Sequence, residues 1–78
     1  MRAPSIHLLC KNGDIEDLRN LLNSSPSIDI DEYNQDGNTP LLCAIESNNI
    51  SDSEKIQIIE LLLDHGADVN KPALTITH

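Results

Sequence analysis

The sequence predicts an all-α fold, a short solenoid of helix–turn–helix repeats joined by hairpin-like loops. The first observation is that residues 36–70 contain the start, the middle and the stop of a complete helix pair. The second is that the apolar pattern of residues 6–22 recurs, 35 residues later for the first helix and 41 residues later for the second. A repeat period in the range of about 20–50 residues is typical of stacked repeats.

The chain therefore divides into a first repeat, residues 1–35, and a second repeat, residues 36–70, which carries six extra residues between its helices. Beyond Asn70 the pattern fails, so residues 71–78 are a tail or the start of a third repeat. A chain of 78 residues makes at most one domain. Its core must be aliphatic, because Tyr33 is the only aromatic residue.

The first repeat is predicted to hold a short helix within residues 1–12 and, after a turn at Gly13, a second helix over about residues 15–23. Pro26 ends the second helix, because proline lacks a backbone N–H and clashes with the preceding turn. Residues 28–31 alternate between isoleucine and aspartate, which favours an extended segment. The apolar residues that the first helix contributes to the core are Ile6, Leu8 and Leu9.

The second helix of the first repeat is more polar than its counterpart in the second repeat. Asp17 and Asn20 stand where Ile58 and Leu61 stand 41 residues later. Positions three apart share one face of a helix. The first repeat is therefore expected to be polar on the side without a neighbour, as a terminal capping repeat requires, although a chance loss of two apolar residues is the alternative.

The first helix of the second repeat has a marked start. Residues 36–41 predict a tight turn, with Thr39 as the N-cap and Pro40 as the first helical residue. The helix is short and mostly apolar. It is expected to end at Asn48 and Asn49, which tolerate the left-handed conformation.

The second helix of this repeat is predicted to start at Ser51, because Glu54 three residues later completes a capping box. The insertion around Ile50 is expected to be an exposed loop that leads into this cap. The helix runs to Gly66 and needs packing partners on more than one side, since it has only one narrow polar stripe, formed by Gln57, Glu60 and Asp64.

The run Gly37-Asn38-Thr39-Pro40-Leu41, followed downstream by Leu62-Leu63-Asp64-His65-Gly66-Ala67-Asp68-Val69-Asn70, closely resembles the ankyrin repeat. The resemblance covers about residues 5–70. It implies that residues 33–37 form a projecting hairpin and that His7 is a structural histidine. Asn70 stands where some ankyrin repeats present an asparagine to an asparaginyl hydroxylase, but we expect its side chain to tie the turn.

The charge balance limits the classes of partner. Thirteen acidic and five basic residues give a formal net charge of −8. A phosphate backbone would be repelled, so nucleic acid and anionic membranes are not expected partners. A protein with a basic surface is the natural complement, although acidity can also serve solubility alone. Four acidic residues lie together in the connection between the repeats: Asp29, Asp31, Glu32 and Asp36.

The composition favours a soluble intracellular protein. No stretch approaches the roughly 20 apolar residues that span a bilayer, and the N-terminus lacks the apolar run of a signal peptide. Cys10 and Cys43 do not form a disulfide framework, and each lies where a first helix needs a small apolar side chain. We expect a reducing compartment, the cytoplasm or nucleus. The richness in Ile, Asn and Ser is typical of AT-rich genomes, such as those of some parasites, intracellular bacteria and viruses. Delivery into a host cell therefore stays open.

Neither catalysis nor metal binding is predicted. The three histidines and two cysteines show no C-x-x-C or H-x-x-x-H pairing. Neither cysteine has a base at a defined spacing, and the chain has no glycine-rich phosphate loop. We therefore expect no metal, no cofactor and no enzyme activity.

The candidate site is a surface for binding a partner protein. The resemblance implies binding through hairpin tips and the exposed side of the first helices, which selects Lys11, Asn12, Tyr33, Gln35, Asp36, Asn38, Glu46 and Ser47. Tyr33 is of the residue type that anchors interfaces. The alternative is that its ring only covers the base of the hairpin.

Two functions are open. The first is a non-catalytic interaction module, an adaptor or regulator that docks a partner protein through this surface. The second is a capping or oligomerising segment of a longer array, which self-associates through an open apolar C-terminal face. The residues expected in that face are drawn from Leu41, Ile45, Ile56, Ile59, Leu62 and Leu63.

Overall fold

The computed structural model describes residues 5–25 and 27–74. In this part of the chain the regular elements are four α-helices, without a β-strand, so the predicted all-α class is confirmed. Helices α1 and α2 form one pair and α3 and α4 a second pair, with α1 packed beside α3 and α2 beside α4. The four helices are α1 Ile6–Asn12, α2 Ile15–Ser24, α3 Pro40–Glu46 and α4 Asp52–Asp64.

The predicted helix starts at Thr39 and Ser51 are confirmed. The Thr39 hydroxyl accepts a hydrogen bond from the Leu42 N–H at 3.2 Å, and Pro40 follows as the first helical residue. The Ser51 hydroxyl accepts from the Glu54 N–H at 3.2 Å, while the Glu54 carboxylate accepts from the Ser51 N–H at 3.0 Å. This is the reciprocal capping box that the sequence predicts.

We expect Ser51→Ala to lower the free energy of unfolding by about 1 kcal/mol, because the alanine cannot accept the hydrogen bond from the Glu54 N–H. Chemical denaturation measures the effect. Ser53→Ala is the matched control, since Ser53 is exposed in the same helical turn. Equal stability of the two variants would show that the helix begins elsewhere.

Helix α3 ends at Glu46, before the predicted stop at Asn48 and Asn49, and without a left-handed asparagine. Ser47 has an extended conformation, with φ of −68° and ψ of 136°. Among the described residues only glycines have positive φ. At this end of the helix the Ser47 hydroxyl donates a hydrogen bond to the Lys11 carbonyl of α1, at 2.6 Å, which fixes Ser47 against α1.

The six-residue insertion is exposed only in part. Asn48, Asn49 and Ser51 are exposed as expected, but Ile50 is half-buried against the core. If Gly13 carried a Cβ atom, that atom would lie 2.5 Å from the Ile50 Cγ2 atom. The Ile50 side chain thus occupies the space beside Gly13. The prediction of an exposed loop is therefore wrong at Ile50, because its side chain packs over the turn of the first repeat.

Residues 27–31 form consecutive turns, so the predicted extended segment is wrong. The Ile28 N–H donates to the Ser25 carbonyl, and the Asp29 carboxylate accepts from the Asp31 N–H at 3.1 Å. Aspartate closes such turns with its own side chain. Ile28 and Ile30 are both half-buried against the core.

The core is aliphatic and continuous across both helix pairs. Leu18 of α2 and Ile58 and Leu62 of α4 are its largest fully buried apolar side chains. The sequence predicts that α2 is polar where α4 is apolar and buried, and this is confirmed at three of four positions. Asp17 and Asn20 of α2 are exposed and Ile58 of α4 is buried, whereas Leu61 of α4 is half-buried. Leu8 does not join the core and is 49% exposed.

The predicted apolar C-terminal face exists but is smaller than expected. Ile45, Ile56 and Leu63 are exposed. Leu62 is buried because it lies four residues after Ile58 on the same face of α4. Leu41 is buried like Ile6, the residue at the same position of the first repeat.

Candidate functional site

A groove of about 710 Å³ runs between the hairpin at residues 34–38 and the adjacent side of helices α1 and α3. Six of the eight predicted contact residues line it, whereas Asn12 and Tyr33 lie outside it. The six are Lys11, Gln35, Asp36, Asn38, Glu46 and Ser47. Residues that the prediction missed also line the groove: Ser5, His7, Leu8, Asn34, Cys43, Asn48 and Asn49.

Asn34 shapes the hairpin wall of the groove. Its side-chain oxygen accepts hydrogen bonds from the backbone N–H groups of Asp36, at 2.9 Å, and Asn38, at 3.0 Å. Gly37 completes the turn with φ of 77°, a conformation that other residues resist. Gln35 is consequently held at the exposed tip beside Asp36. Asn34 could have been found as the asparagine at the start of a turn.

The helical wall carries two exposed charges. Lys11 lies in the last turn of α1 and Glu46 is the last residue of α3. Ser47 differs from expectation, because it is buried and its hydroxyl accepts from the Asn49 N–H at 3.2 Å while donating to Lys11. Its predicted exposure is wrong. Ser47 instead joins the ends of α1 and α3 at the floor of the groove.

Cys43 forms part of the floor of the groove. The Asn34 amide donates a weak hydrogen bond to its Sγ atom at 3.6 Å. Burial raises the pKa of the Cys43 thiol, the negative charges of Glu46 and Asp36 raise it further, and Lys11 opposes them. These three charged side chains line the same groove as the thiol.

Cys10 lies deeper, with none of its surface exposed. Burial raises its pKa to about 12, with Cys43 as a smaller cause. The nucleophilic form of cysteine is the thiolate. Both thiols are protonated near neutral pH, which makes them apolar packing groups.

His7 has the structural position that the resemblance implies. It is buried, and its Nε2 atom lies 2.6 Å from the carbonyl oxygen of Glu32. The contact joins helix α1 to the connection between the two helix pairs. His7 thus lines the groove and ties α1 to the connection.

Tyr33 is engaged by the chain itself. Its hydroxyl donates to the carbonyl of Pro72 at 2.6 Å, and the Lys71 ammonium lies 4.5 Å from the centre of its ring. Lys71 also donates to the carbonyl of Asp31 at 2.9 Å. These contacts favour the interpretation that the ring covers the base of the hairpin.

Residues 68–74, which we name the strap, lie along the hairpin. The Asp68 N–H donates to both carboxylate oxygens of Asp31, at 3.1 and 3.2 Å, and the Leu74 N–H donates to the Gly37 carbonyl at 2.7 Å. The Asp31 carboxylate is therefore bonded within the fold, so one of the four acidic residues in the connection between the repeats is already engaged. The turn of the strap is tied by the Asp68 side chain, which accepts from the Asn70 N–H at 2.8 Å, and not by the Asn70 side chain as expected.

A metal-binding cluster and a helix that could cross a membrane are both absent from the residues that the structure describes. Within residues 5–25 and 27–74, no group of three or more His, Cys, Asp or Glu side chains is placed to hold a metal ion. In that part of the chain no helix has the length and apolar character needed to cross a membrane.

Comparison with known proteins gives two matches. A family model described as ankyrin repeats in three copies matches residues 3–73. The chain is also similar to I-Kappa-B like protein C2 of Microplitis demolitor bracovirus (isolate Webb), with 32% identity over 80 residues. That match covers 94% of this chain and 42% of the viral protein, so the chain spans less than half the length of this relative. No solved structure matches the chain significantly.

Proposed function

The chain belongs to the ankyrin repeat family, and we propose that it is a non-catalytic interaction module that docks a partner protein in the groove between the hairpin and helices α1 and α3. The observation that carries this proposal is the convergence of six predicted contact residues on one groove with two distinct walls. The protonated, buried thiols support a non-catalytic role.

The partner that fits this groove has a basic surface. Asp36 projects from the hairpin wall and Glu46 from the α3 wall, while Lys11 is the only basic residue of the lining apart from His7. The chain as a whole carries a formal charge of −8. Complementary charge accelerates association and excludes wrong partners, so a basic segment would be attracted to the groove.

The amide side chains of the groove add a second kind of recognition. Gln35 and Asn38 on the hairpin and Asn48 and Asn49 beyond α3 each offer donors and an acceptor. Such groups can pair with the backbone of an extended peptide. Leu8 supplies an exposed apolar contact at one edge.

The place of action that we propose is the cytoplasm or nucleus, and delivery into a host cell fits a chain whose relative is a viral protein. The free thiols Cys10 and Cys43 are compatible with reducing surroundings. A fractionation of expressing cells with an antibody against the chain tests the compartment.

The charge of the groove can be tested with a decalysine peptide. We expect Asp36→Asn combined with Glu46→Gln to slow association by about tenfold at low salt and to flatten its salt dependence, because the steering charges are gone. Stopped-flow association rates at several salt concentrations measure this effect. Nuclear magnetic resonance shifts locate the bound peptide.

The control removes the same charge elsewhere. Glu60→Gln combined with Asp64→Asn changes two exposed residues of α4 outside the groove. A groove site predicts a much smaller effect for this pair. Equal effects of the two pairs would mean that the peptide responds to net charge alone, which would contradict the proposal that the groove is its binding site.

A second candidate function is that of a capping or oligomerising segment of a longer array. The observation that favours it is the exposure of Ile45, Ile56 and Leu63 on one side of the second helix pair. Apolar patches of this kind mark association sites. Mass in solution separates a self-associating segment from a monomeric interaction module.

A further inference from the structure

The strap, residues 68–74, is held on the hairpin by few contacts. Lys71 and Ala73 are half-buried, whereas the other residues of the strap are exposed. Its two large apolar side chains stay outside the core, since Val69 is 59% exposed and Leu74 is 56% exposed. Hydrogen bonds and a cation–π contact therefore fix the strap, rather than burial of apolar surface.

Lys71 contributes its side chain to these contacts. Its ammonium lies 4.5 Å from the centre of the Tyr33 ring and donates a hydrogen bond to the Asp31 carbonyl at 2.9 Å. The face of an aromatic ring attracts a cation, more strongly where water is partly excluded, and Lys71 is half-buried at this place. Asp31 and Tyr33 together thus hold one lysine side chain by two kinds of contact.

The contacts that follow Lys71 use the backbone of the strap. The Pro72 carbonyl accepts a hydrogen bond from the Tyr33 hydroxyl at 2.6 Å, and the Leu74 N–H donates to the Gly37 carbonyl at 2.7 Å. A carbonyl and the N–H two residues later lie on the same side of an extended chain, so this side of the strap faces the hairpin. Extended segments of other sequences carry the same two groups.

Proline is well suited to the position after the lysine. It biases the residue before it toward extended conformations. The bonds to the hairpin use the carbonyl of Pro72 and the N–H of Leu74, so the missing N–H of proline costs no bond. A lysine followed by a proline is therefore preorganised for this place, which lowers the entropic cost of binding.

We propose that Asp31, Tyr33 and Gly37 form a binding site for an extended lysine–proline segment of a partner protein, and that the strap occupies this site as a competing internal ligand. The contacts of the strap define the chemistry of the occupant. The charge nearby favours the same ligand, because Asp29 and Glu32 are acidic and exposed. The three site residues lie outside the lining of the groove, so the inference does not depend on the groove.

An internal ligand weakens binding from outside, because a partner can enter only the fraction of molecules in which the strap is released. Lys71→Ala raises that fraction, since it removes the ammonium from the Tyr33 ring and from the Asp31 carbonyl. Lys55→Ala is the matched control, because Lys55 is also a half-buried lysine but lies on α4.

The probe is an acetylated and amidated peptide with the sequence of residues 69–74. Isothermal titration calorimetry measures its dissociation constant. We expect the Lys71→Ala variant to bind the peptide about tenfold more tightly than the unchanged chain does, and the Lys55→Ala variant to bind it like the unchanged chain. A peptide with norleucine in place of its lysine keeps the aliphatic stem and lacks the ammonium, so it should bind the Lys71→Ala variant about tenfold more weakly.

Two changes of Tyr33 in the Lys71→Ala variant locate the peptide. Tyr33→Phe keeps the ring and loses the hydroxyl donor, so affinity should fall about threefold, while Tyr33→Leu loses both and should lower it more than about tenfold. Equal affinity of the unchanged chain and the Lys71→Ala variant would overturn the proposal, as would equal binding of the norleucine peptide. Loss of the far-ultraviolet helical signal in the Lys71→Ala variant would overturn it too, because the strap would then be part of the fold and not a ligand.

Discussion

Leu62→Ala is expected to lower the free energy of unfolding by about 2–5 kcal/mol, the range for removing most of a buried leucine side chain. Leu62 is fully buried in the core shared by α2 and α4. A chain of this size has little stability in reserve. The variant should therefore be largely unfolded at room temperature, as measured by circular dichroism and urea denaturation.

The neighbouring leucine provides the control. Leu63 is 39% exposed on the C-terminal face, so Leu63→Ala removes less buried surface and should lower stability much less. Similar losses for the two variants would show that α4 is rotated from the orientation described here. A larger loss for Leu63→Ala would mean that the C-terminal face is covered in solution.

Gly37→Ala is expected to destabilise the chain by more than about 2 kcal/mol and to detach the end of the strap. Gly37 has φ of 77°, which is strained for any residue with a Cβ atom. An added Cβ would also collide with the backbone carbonyl of Leu74, an atom that cannot move without shifting the strap. Hydrogen exchange of the Leu74 amide measures whether its bond to Gly37 is lost.

Gly66→Ala separates the two causes. Gly66 has φ of 94°, but nothing lies within 4 Å of the position of its added Cβ. It should cost about 1–2 kcal/mol from backbone strain alone and leave the exchange of the Leu74 amide unchanged. If Gly37→Ala and Gly66→Ala behave alike, contact with the strap does not contribute to stability.

Signals in the sequence correctly predicted the starts of α3 and α4 and the exposed side of α2. The N-caps at Thr39 and Ser51 depend on neighbours three residues away, so the sequence alone determines them. The exposure of Asp17 and Asn20 also followed from a simple comparison of the sequences of α2 and α4. Neither feature requires knowledge of which distant residues come into contact.

The direction of each side chain in α4 could not be predicted in the same way. Six of its residues are aliphatic and occupy most of the circumference of the helix. A pattern without a clear polar half does not show which of two adjacent leucines faces the neighbouring helix. The packing of α4 against α2 and α3 decides this, and it buries Leu62 rather than Leu63.

Two polar residues that the sequence suggested for partner binding are bonded within the fold, to groups distant in sequence. Ser47 bonds to a carbonyl 36 residues earlier, and Asp31 accepts from an N–H 37 residues later. A serine or aspartate that binds a partner protein has the same local sequence as one that holds two repeats together. Only the position of the partner group separates these roles.

The contact between Tyr33 and the strap makes the chain a convenient spectroscopic system. Tyr33 is the only aromatic residue among 78, so its near-ultraviolet circular dichroism and its fluorescence originate at one place. That place is the junction where its hydroxyl meets Pro72 and its ring meets Lys71. The optical signal therefore reports detachment of the strap, while far-ultraviolet dichroism reports the helices, and the two can be followed separately in a single unlabelled sample.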